Sequence, residues 1–177
     1  RENVDKLKVH RASNGAAIVA KPKTGEILAM VGSRDFFDLE NDGNVNVTIA
    51  NRQPGSAIKP INYATALTKK LITPATVIID VATTFSGGPV PYRPVNYDGR
   101  YHGPVQVRFA LANSYNIPAV KILALNGVGE MIKMARAMGI TTFEDESRYG
   151  LSLTLGGGEV KMTELANAFA IFATGGE

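Results

Sequence analysis

The stretch "RQPGSAIKPINY" (Arg52 to Tyr63) sets Ser56 three residues before Lys59, directly after Pro54-Gly55. A serine hydroxyl is a weak nucleophile until a base takes its proton. A lysine amine can be that base where burial or cationic neighbours lower its pKa. Three residues is close to one helical turn, so on a helix both side chains share a face. A helix beginning at Ser56 also offers free N–H groups to a developing oxyanion. One short stretch can therefore carry nucleophile, base and part of an oxyanion hole. A plainer reading stands beside it: serine is a preferred N-cap, lysine is common on helices, and Ser-x-x-Lys recurs by chance.

A second pair, Ser114 and Asn116 in "ALANSYNIPAVK", breaks an otherwise apolar helical run. Short polar side chains in such a place are costly unless hydrogen-bonded or functional. Here too a structural alternative exists, in which Asn116 caps a helix opening at Ile117-Pro118. The two pairs in this order are more specific than either alone.

The remaining chemistry-bearing residues read more simply. Lys23-Thr24-Gly25 lies in the expected turn of a hairpin, where Lys23 is a solvated turn residue. His10 and His102 are the only histidines, and His102, in "RYHGPV", reads as a loop or structural residue. There is no cysteine, which excludes disulfides, thiol nucleophiles and Cys-zinc sites. No His/Asp/Glu cluster has metal-ligand spacing, and "GGGEV" lacks the Lys-Ser/Thr of a phosphate loop, so neither metal nor cofactor is expected. Met131, Met134 and Met138 recur at helical spacing and read as core.

These residues need elements to position them. "AAIVA" and "EILAMVG", joined by "KPKTG", predict a β-hairpin, and "VNVTIA" (Val45 to Ala50) a short extended piece after the "NDGN" turn. A helical period runs from Ser56 to about Leu71, with Pro60 tolerated only in its first turn. Thr83 to Gly103, rich in glycine and proline, predicts a long irregular loop. Val105–Asn113 reads as helix, Pro118 opens another ending at "LNG", and Met131–Met138 forms one stopped by Gly139. "LSLTLGGGEV" reads as a glycine-rich connection, and Leu165–Ala173 as a last helix ended by Gly175-Gly176. Two strands cannot cover so many helices, so further strands are expected. The fold class is α+β with part of its sheet missing.

At 177 residues and 45% hydrophobic content the chain suffices for one domain with a core. A net charge of +3 from scattered lysines and arginines excludes a nucleic-acid-binding stripe. No apolar run reaches the roughly 18 residues of a membrane span, and no signal peptide is visible. The chain begins at Arg1 and ends on "ATGGE", so it is expected to be part of a longer polypeptide.

With these motifs the chain resembles the transpeptidase domain of the bifunctional (class A) penicillin-binding proteins, whose motifs include Ser-x-x-Lys, a Ser-x-Asn and a Lys-Thr-Gly. "RQPGSAIKPINY" and "ALANSYNIPAVK" are similar to the first two motifs with their flanks. "PKTGEILAMVG", "NYDGRYHGPV", "SRYGLSLTLGGGEV" and "ELANAFAIFATGG" are similar to recurring flanking segments, from about Ala16 to Gly176. The resemblance implies a β-lactamase/transpeptidase-like fold: a helical subdomain plus an antiparallel sheet, incomplete here, with residues 1–177 forming the N-terminal part of one domain. It implies that Ser56 attacks the penultimate D-Ala carbonyl of a peptidoglycan stem peptide ending in D-Ala-D-Ala. Lys59 would take the serine proton, Ser114 would relay a proton to the departing D-Ala, and Asn116 would hold Lys59 and a substrate amide. β-Lactam antibiotics would acylate the same serine. The third motif should follow Asn116 on a strand, and the chain has none there; Lys23-Thr24-Gly25 precedes Ser56 and is assigned no role. The missing C-terminal part would supply the third wall and a second oxyanion N–H, so the chain alone is expected to be impaired, with a bare sheet edge. The parent is expected to carry a membrane anchor and a glycosyltransferase domain, and to work at the extracytoplasmic face of the bacterial membrane.

Two alternatives remain from the sequence. A D,D-carboxypeptidase or β-lactamase-like hydrolase would use the same residues with water as acceptor. A non-catalytic binding or scaffold fragment would leave Ser56 as a cap.

Overall fold

A computed structural model describes residues 2–10, 12–86 and 90–176. Two compact units are formed, one from Arg1–Gln53, Ala135–Glu144 and Glu159–Glu177, the other from Pro54–Met134 and Asp145–Gly158.

The first unit contains helix α1 (Glu2–Lys6), the antiparallel hairpin β1 (Ala17–Ala20) and β2 (Ile27–Val31), and helix α6 (Met162–Thr174). Ala17 faces Val31 and Ile18 faces Met30, with a register slip between Val19 and Ala20. The turn is the expected one, closed by Thr24 and Gly25 N–H groups donating to the Lys21 carbonyl. Helix α6 starts earlier than its apolar period, with an acidic residue favourably placed in its first turn: Glu164, which accepts from the Thr141 N–H and hydroxyl at 3.0 and 2.8 Å. It ends, as expected, at Gly175. Val45–Ala50 is not extended but folds into turns. Asn46 Oδ1 accepts from both the Thr48 N–H and its hydroxyl, the local bond by which Asn competes with strand pairing. Every residue of β2 is exposed, including Ile27, Leu28, Met30 and Val31, and so are Phe169 and Phe172 of α6.

In the second unit a tight 3-10 turn, Gly55–Ile58, runs directly into helix α2 (Lys59–Thr68). The helical path thus begins where the sequence places it, but the first turn is 3-10 and Pro60 falls at the start of the α-helix. The strands not visible in the sequence are β3 (Val77–Asp80) and β4 (Gly103–Gln106), an antiparallel pair with Val77 opposite Gln106 and Asp80 opposite Gly103. Val105 and Gln106 therefore belong to a strand, and helix α3 (Val107–Ala112) starts only after them. So short a segment as Val105-Gln106 has no period of its own, and pairing with β3 decides it. Between the strands, Phe85 and Tyr92 form an isolated antiparallel bridge within the long loop, while residues 87–89 of that loop lie outside the described ones.

Helix α4 (Asn116–Asn126) carries Pro118 in its first turn and ends at Gly127, as expected. Helix α5 (Val128–Ala137) follows, with Met131 buried. The glycine-rich connection contains a further 3-10 segment, Leu151–Leu155, packed on α4 and α2. Tyr63, Ala66, Val107, Ala119 and Ile122 form the apolar core among α2, α3 and α4. Beside it lies a buried polar brace. Asn62 Nδ2 donates to the Ala119 carbonyl and to Thr154 Oγ1, both at 2.9 Å. Asn126 Nδ2 donates to Asn62 O and Oδ1 at 2.9 and 2.8 Å. Bonding of both amide nitrogens makes such groups tolerable inside and ties α2, α4 and the 3-10 segment together, although Asn126 Oδ1 is left without a partner among the described residues.

Candidate active site

Ser56 lies in the 3-10 turn and is exposed. It does not cap: Pro54 occupies the N-cap of that turn and Ile58 that of α2, neither with a side-chain cap bond. Among the described residues neither its hydroxyl nor its N–H has a hydrogen-bond partner, so both are available to an incoming group. Its backbone is held from behind. A Cβ on Gly156 would lie 2.4 Å from Gly55 N and 2.5 Å from Gly55 Cα, so only glycine allows this approach. Gly156 also has φ +92°, a conformation that other residues rarely adopt. The "LGGG" run therefore supports the turn that presents Ser56.

Lys59, the first residue of α2, is 1% exposed. Its Nζ donates to the Ser114 carbonyl at 2.5 Å, to Ser114 Oγ at 3.1 Å and to Asn116 Oδ1 at 2.7 Å. None of these acceptors is charged, and burial lowers its pKa to about 8. The amine can thus reach its neutral form near physiological pH. The neutral amine also fits the site: its two N–H groups satisfy the two carbonyl oxygens, and its lone pair is left for a hydroxyl proton.

Ser114 presents two oxygens to Lys59 because of its backbone. Helix α3 ends with the Ser114 N–H on Leu111 O at 2.9 Å and the Tyr115 N–H on Ala110 O at 3.0 Å. That is a Schellman ending, and its left-handed position, usually glycine, is here Ser114 at φ +56°. A serine held there is strained, and the site keeps a hydroxyl where glycine would be easier. Asn116 does not cap α4 with its side chain. Its Oδ1 holds Lys59 and its Nδ2 donates to Val95 O at 2.8 Å. The N-terminus of α4 is capped instead from a distance: Asn96 Oδ1 accepts from the Asn116 and Ile117 N–H groups at 2.8 and 3.2 Å.

The structure thus brings Lys59, Ser114 and Asn116 together, with Ser56 one turn before Lys59. Lys23 remains in the exposed hairpin turn, and His10, itself exposed, ends a 3-10 turn (Lys8–His10). No group of three potential metal ligands forms among the described residues. Sequence reasoning missed Asp80 and Asn96, which hold the Ser114–Asn116 turn. The available signal was an acidic residue ending the apolar run "VIID".

A family model described as penicillin binding protein transpeptidase domain matches residues 15–177. The chain is 35% identical over 166 residues to penicillin-binding protein 1A of Rickettsia bellii, covering 93% of this chain and 20% of that protein. It is 38% identical over 165 residues to penicillin-binding protein 1A of Neisseria meningitidis serogroup A, covering 92% of this chain and 20% of that protein. It spans about a fifth of the length of these relatives. The crystal structure of penicillin-binding protein 1A from Haemophilus influenzae superposes with a TM-score of 0.78 at 28% identity, covering 90% of this chain and 23% of that one. The TP domain of penicillin-binding protein 3 from Burkholderia pseudomallei gives a TM-score of 0.76 at 22% identity over 97% of this chain and 54% of that one, a likeness of fold. By its matched length, its relatives and its mixed helix-and-strand fold, this chain belongs to the penicillin-binding protein transpeptidase domain family.

Proposed function

We propose that this chain carries the nucleophile, base and proton relay of a serine D,D-transpeptidase, as one portion of a transpeptidase domain. The observation that carries this reading is Lys59, buried among uncharged acceptors, able to lose its proton near pH 8, one turn after an exposed and unbonded serine. Ser56 Oγ gives its proton to Lys59 Nζ and bonds to the penultimate D-Ala carbonyl of a stem peptide. The C–N bond to the terminal D-Ala breaks, and that amine takes a proton relayed from Lys59 through Ser114 Oγ. An acyl-enzyme on Ser56 remains. The amine of a second stem peptide then attacks it, returns the serine proton through the same groups and leaves a cross-link. A β-lactam enters the same first step and stays attached.

In this reading further strands of the domain cover the exposed apolar hairpin β1–β2, and the third wall of the site likewise comes from outside this chain. Each missing oxyanion donor lowers the rate by about two to three orders of magnitude, so this chain alone should acylate slowly. The proposed setting is the extracytoplasmic face of the bacterial membrane, through an anchor elsewhere in the protein.

Incubation of the full-length protein with a penicillin, followed by intact and peptide masses, tests the reading. One adduct on Ser56, absent in Ser56→Ala, is expected; an adduct that persists in Ser56→Ala overturns it. Product analysis with a D-Ala-D-Ala stem peptide and an amine acceptor separates cross-linking from hydrolysis, the outcome a carboxypeptidase or β-lactamase would give.

A further inference from the structure

Away from Lys59, a second polar cluster holds the same turn. Asp80, at the end of β3, is fully buried. Its Oδ2 accepts from Asn96 Nδ2 at 2.8 Å and from the His102 N–H at 3.0 Å, and lies 2.6 Å from His102 Nδ1. Asn96, 4% exposed, is oriented by this bond and by a second from its Nδ2 to Arg100 O at 2.8 Å. That orientation turns Asn96 Oδ1 onto the first N–H groups of α4. The other ring nitrogen of His102, Nε2, lies 3.0 Å from Asp98 Oδ2. The ring stacks on Tyr115 with centroids 3.9 Å apart and planes 14° apart. Tyr115 stands between Ser114 and Asn116, the two residues that hold Lys59.

Either neutral tautomer of His102 points a lone pair at a carboxylate oxygen, whereas the imidazolium donates to both. A buried carboxylate also needs a compensating charge, and His102 is the basic side chain bonded to Asp80 among the described residues. The titratable groups facing the ring are Asp80, Asp98 and Tyr115. We propose that His102 is a positioning residue: its imidazolium, clamped between Asp80 and Asp98 and stacked on Tyr115, keeps the Ser114–Asn116 turn in the arrangement that holds Lys59. Acylation of Ser56 then depends on the charge of His102, an inference that rests on the transpeptidase reading above. The hydrogen bond to Asp80, then Asp98, raises the His102 pKa, in the direction this requires.

The test is Asp98→Asn, which removes the charge of one partner of the ring at the exposed end of the cluster and leaves Lys59 untouched. The rate of penicillin acylation is measured in wild type and variant of the full-length protein across pH, and their ratio is taken, which cancels the ionisation of Lys59. Removing an adjacent charge shifts a pKa by about one unit, so the ratio should stay near one below the ordinary histidine range and fall to about one tenth above it. Affinity for the penicillin before acylation should not change. In parallel, nitrogen chemical shifts of His102 in the full-length protein should show both ring nitrogens protonated at pH values where a free histidine is neutral. His102→Gln, which removes ring and charge, should be slow at every pH. A flat ratio, a neutral His102 or a normal rate in His102→Gln overturns the inference alone. Absence of labelling in wild type overturns the transpeptidase reading and this inference with it.

Discussion

Lys59 is buried against oxygens that carry no formal charge, whereas His102 sits between two carboxylates. Both belong to the same unit, and both connect to the Ser114–Asn116 turn. Their surroundings drive them in opposite directions: burial pulls the Lys59 pKa down to about 8, and its carboxylate partners hold that of His102 up. A basic group given uncharged acceptors in a buried place releases its proton more readily, and one given anionic acceptors holds it more tightly. The two also respond oppositely to pH. The stabilising contribution of His102 is complete below the ordinary histidine pKa and is lost as pH rises through its raised folded value. The burden of burying charged Lys59 is full below about pH 8 and is relieved as pH rises toward 10.5, because there the unfolded chain holds a proton the folded one has released.

The contrast is broken most severely by Asn116→Asp, which gives Lys59 a carboxylate partner like those of His102. A charge at that distance raises a pKa by about one to three units, so the neutral amine becomes about tenfold to a thousandfold rarer at neutral pH. Penicillin acylation should fall by that factor and recover as pH is raised; an unchanged rate would remove Lys59 from the role of base. Next in size is the pH dependence of stability. The shift of Lys59 from 10.5 to about 8 corresponds to about 3 kcal/mol. Urea unfolding of wild type and Lys59→Met should therefore show their difference moving by that amount in favour of wild type between pH 8 and 10.5. A pH-independent difference would mean that Lys59 ionises normally.

Gly156→Ala leaves every partner of both cations in place and displaces only the turn before Ser56. A misplacement of about 1 Å at a reacting group costs on the order of a hundredfold in rate. Acylation should drop by about that much while the Lys59 titration stays where it is, which would assign Gly156 to presenting the serine. The smallest expected effect separates backbone from side chain at Ser114. Ser114→Gly should be more stable than Ser114→Ala by about 1 kcal/mol in urea melts, because only glycine is relaxed at φ +56°. Both variants should acylate slowly for want of the hydroxyl. Equal stabilities would show that the turn relaxes around Ala.

Much of the fold was legible locally. The β1–β2 hairpin, the helix α4 with Pro118 in its first turn and the end of α6 at Gly175 followed from turn residues and period. The strand pair β3–β4 was not, because Val105-Gln106 reads as the front of a helix until β3 is placed beside it. Val45–Ala50 failed for the opposite reason: its alternation suggested a strand, and the Asn46 side chain closed a turn first. At the site, Ser56, Lys59, Ser114 and Asn116 were all named from spacing, but their partners were not.

By itself the sequence determined the pieces whose physics is local: a serine and a lysine one turn apart, a polar break between two helices, glycines where the chain must bend. These depend on neighbours a few residues away. Only the tertiary structure decided that Lys59 meets Ser114 and Asn116 across 55 and 57 positions, that Asn96 caps α4 across 20, and that His102 lies between two carboxylates. The pKa of a buried group is set by what surrounds it in space, and no spacing along the chain encodes which oxygens those will be.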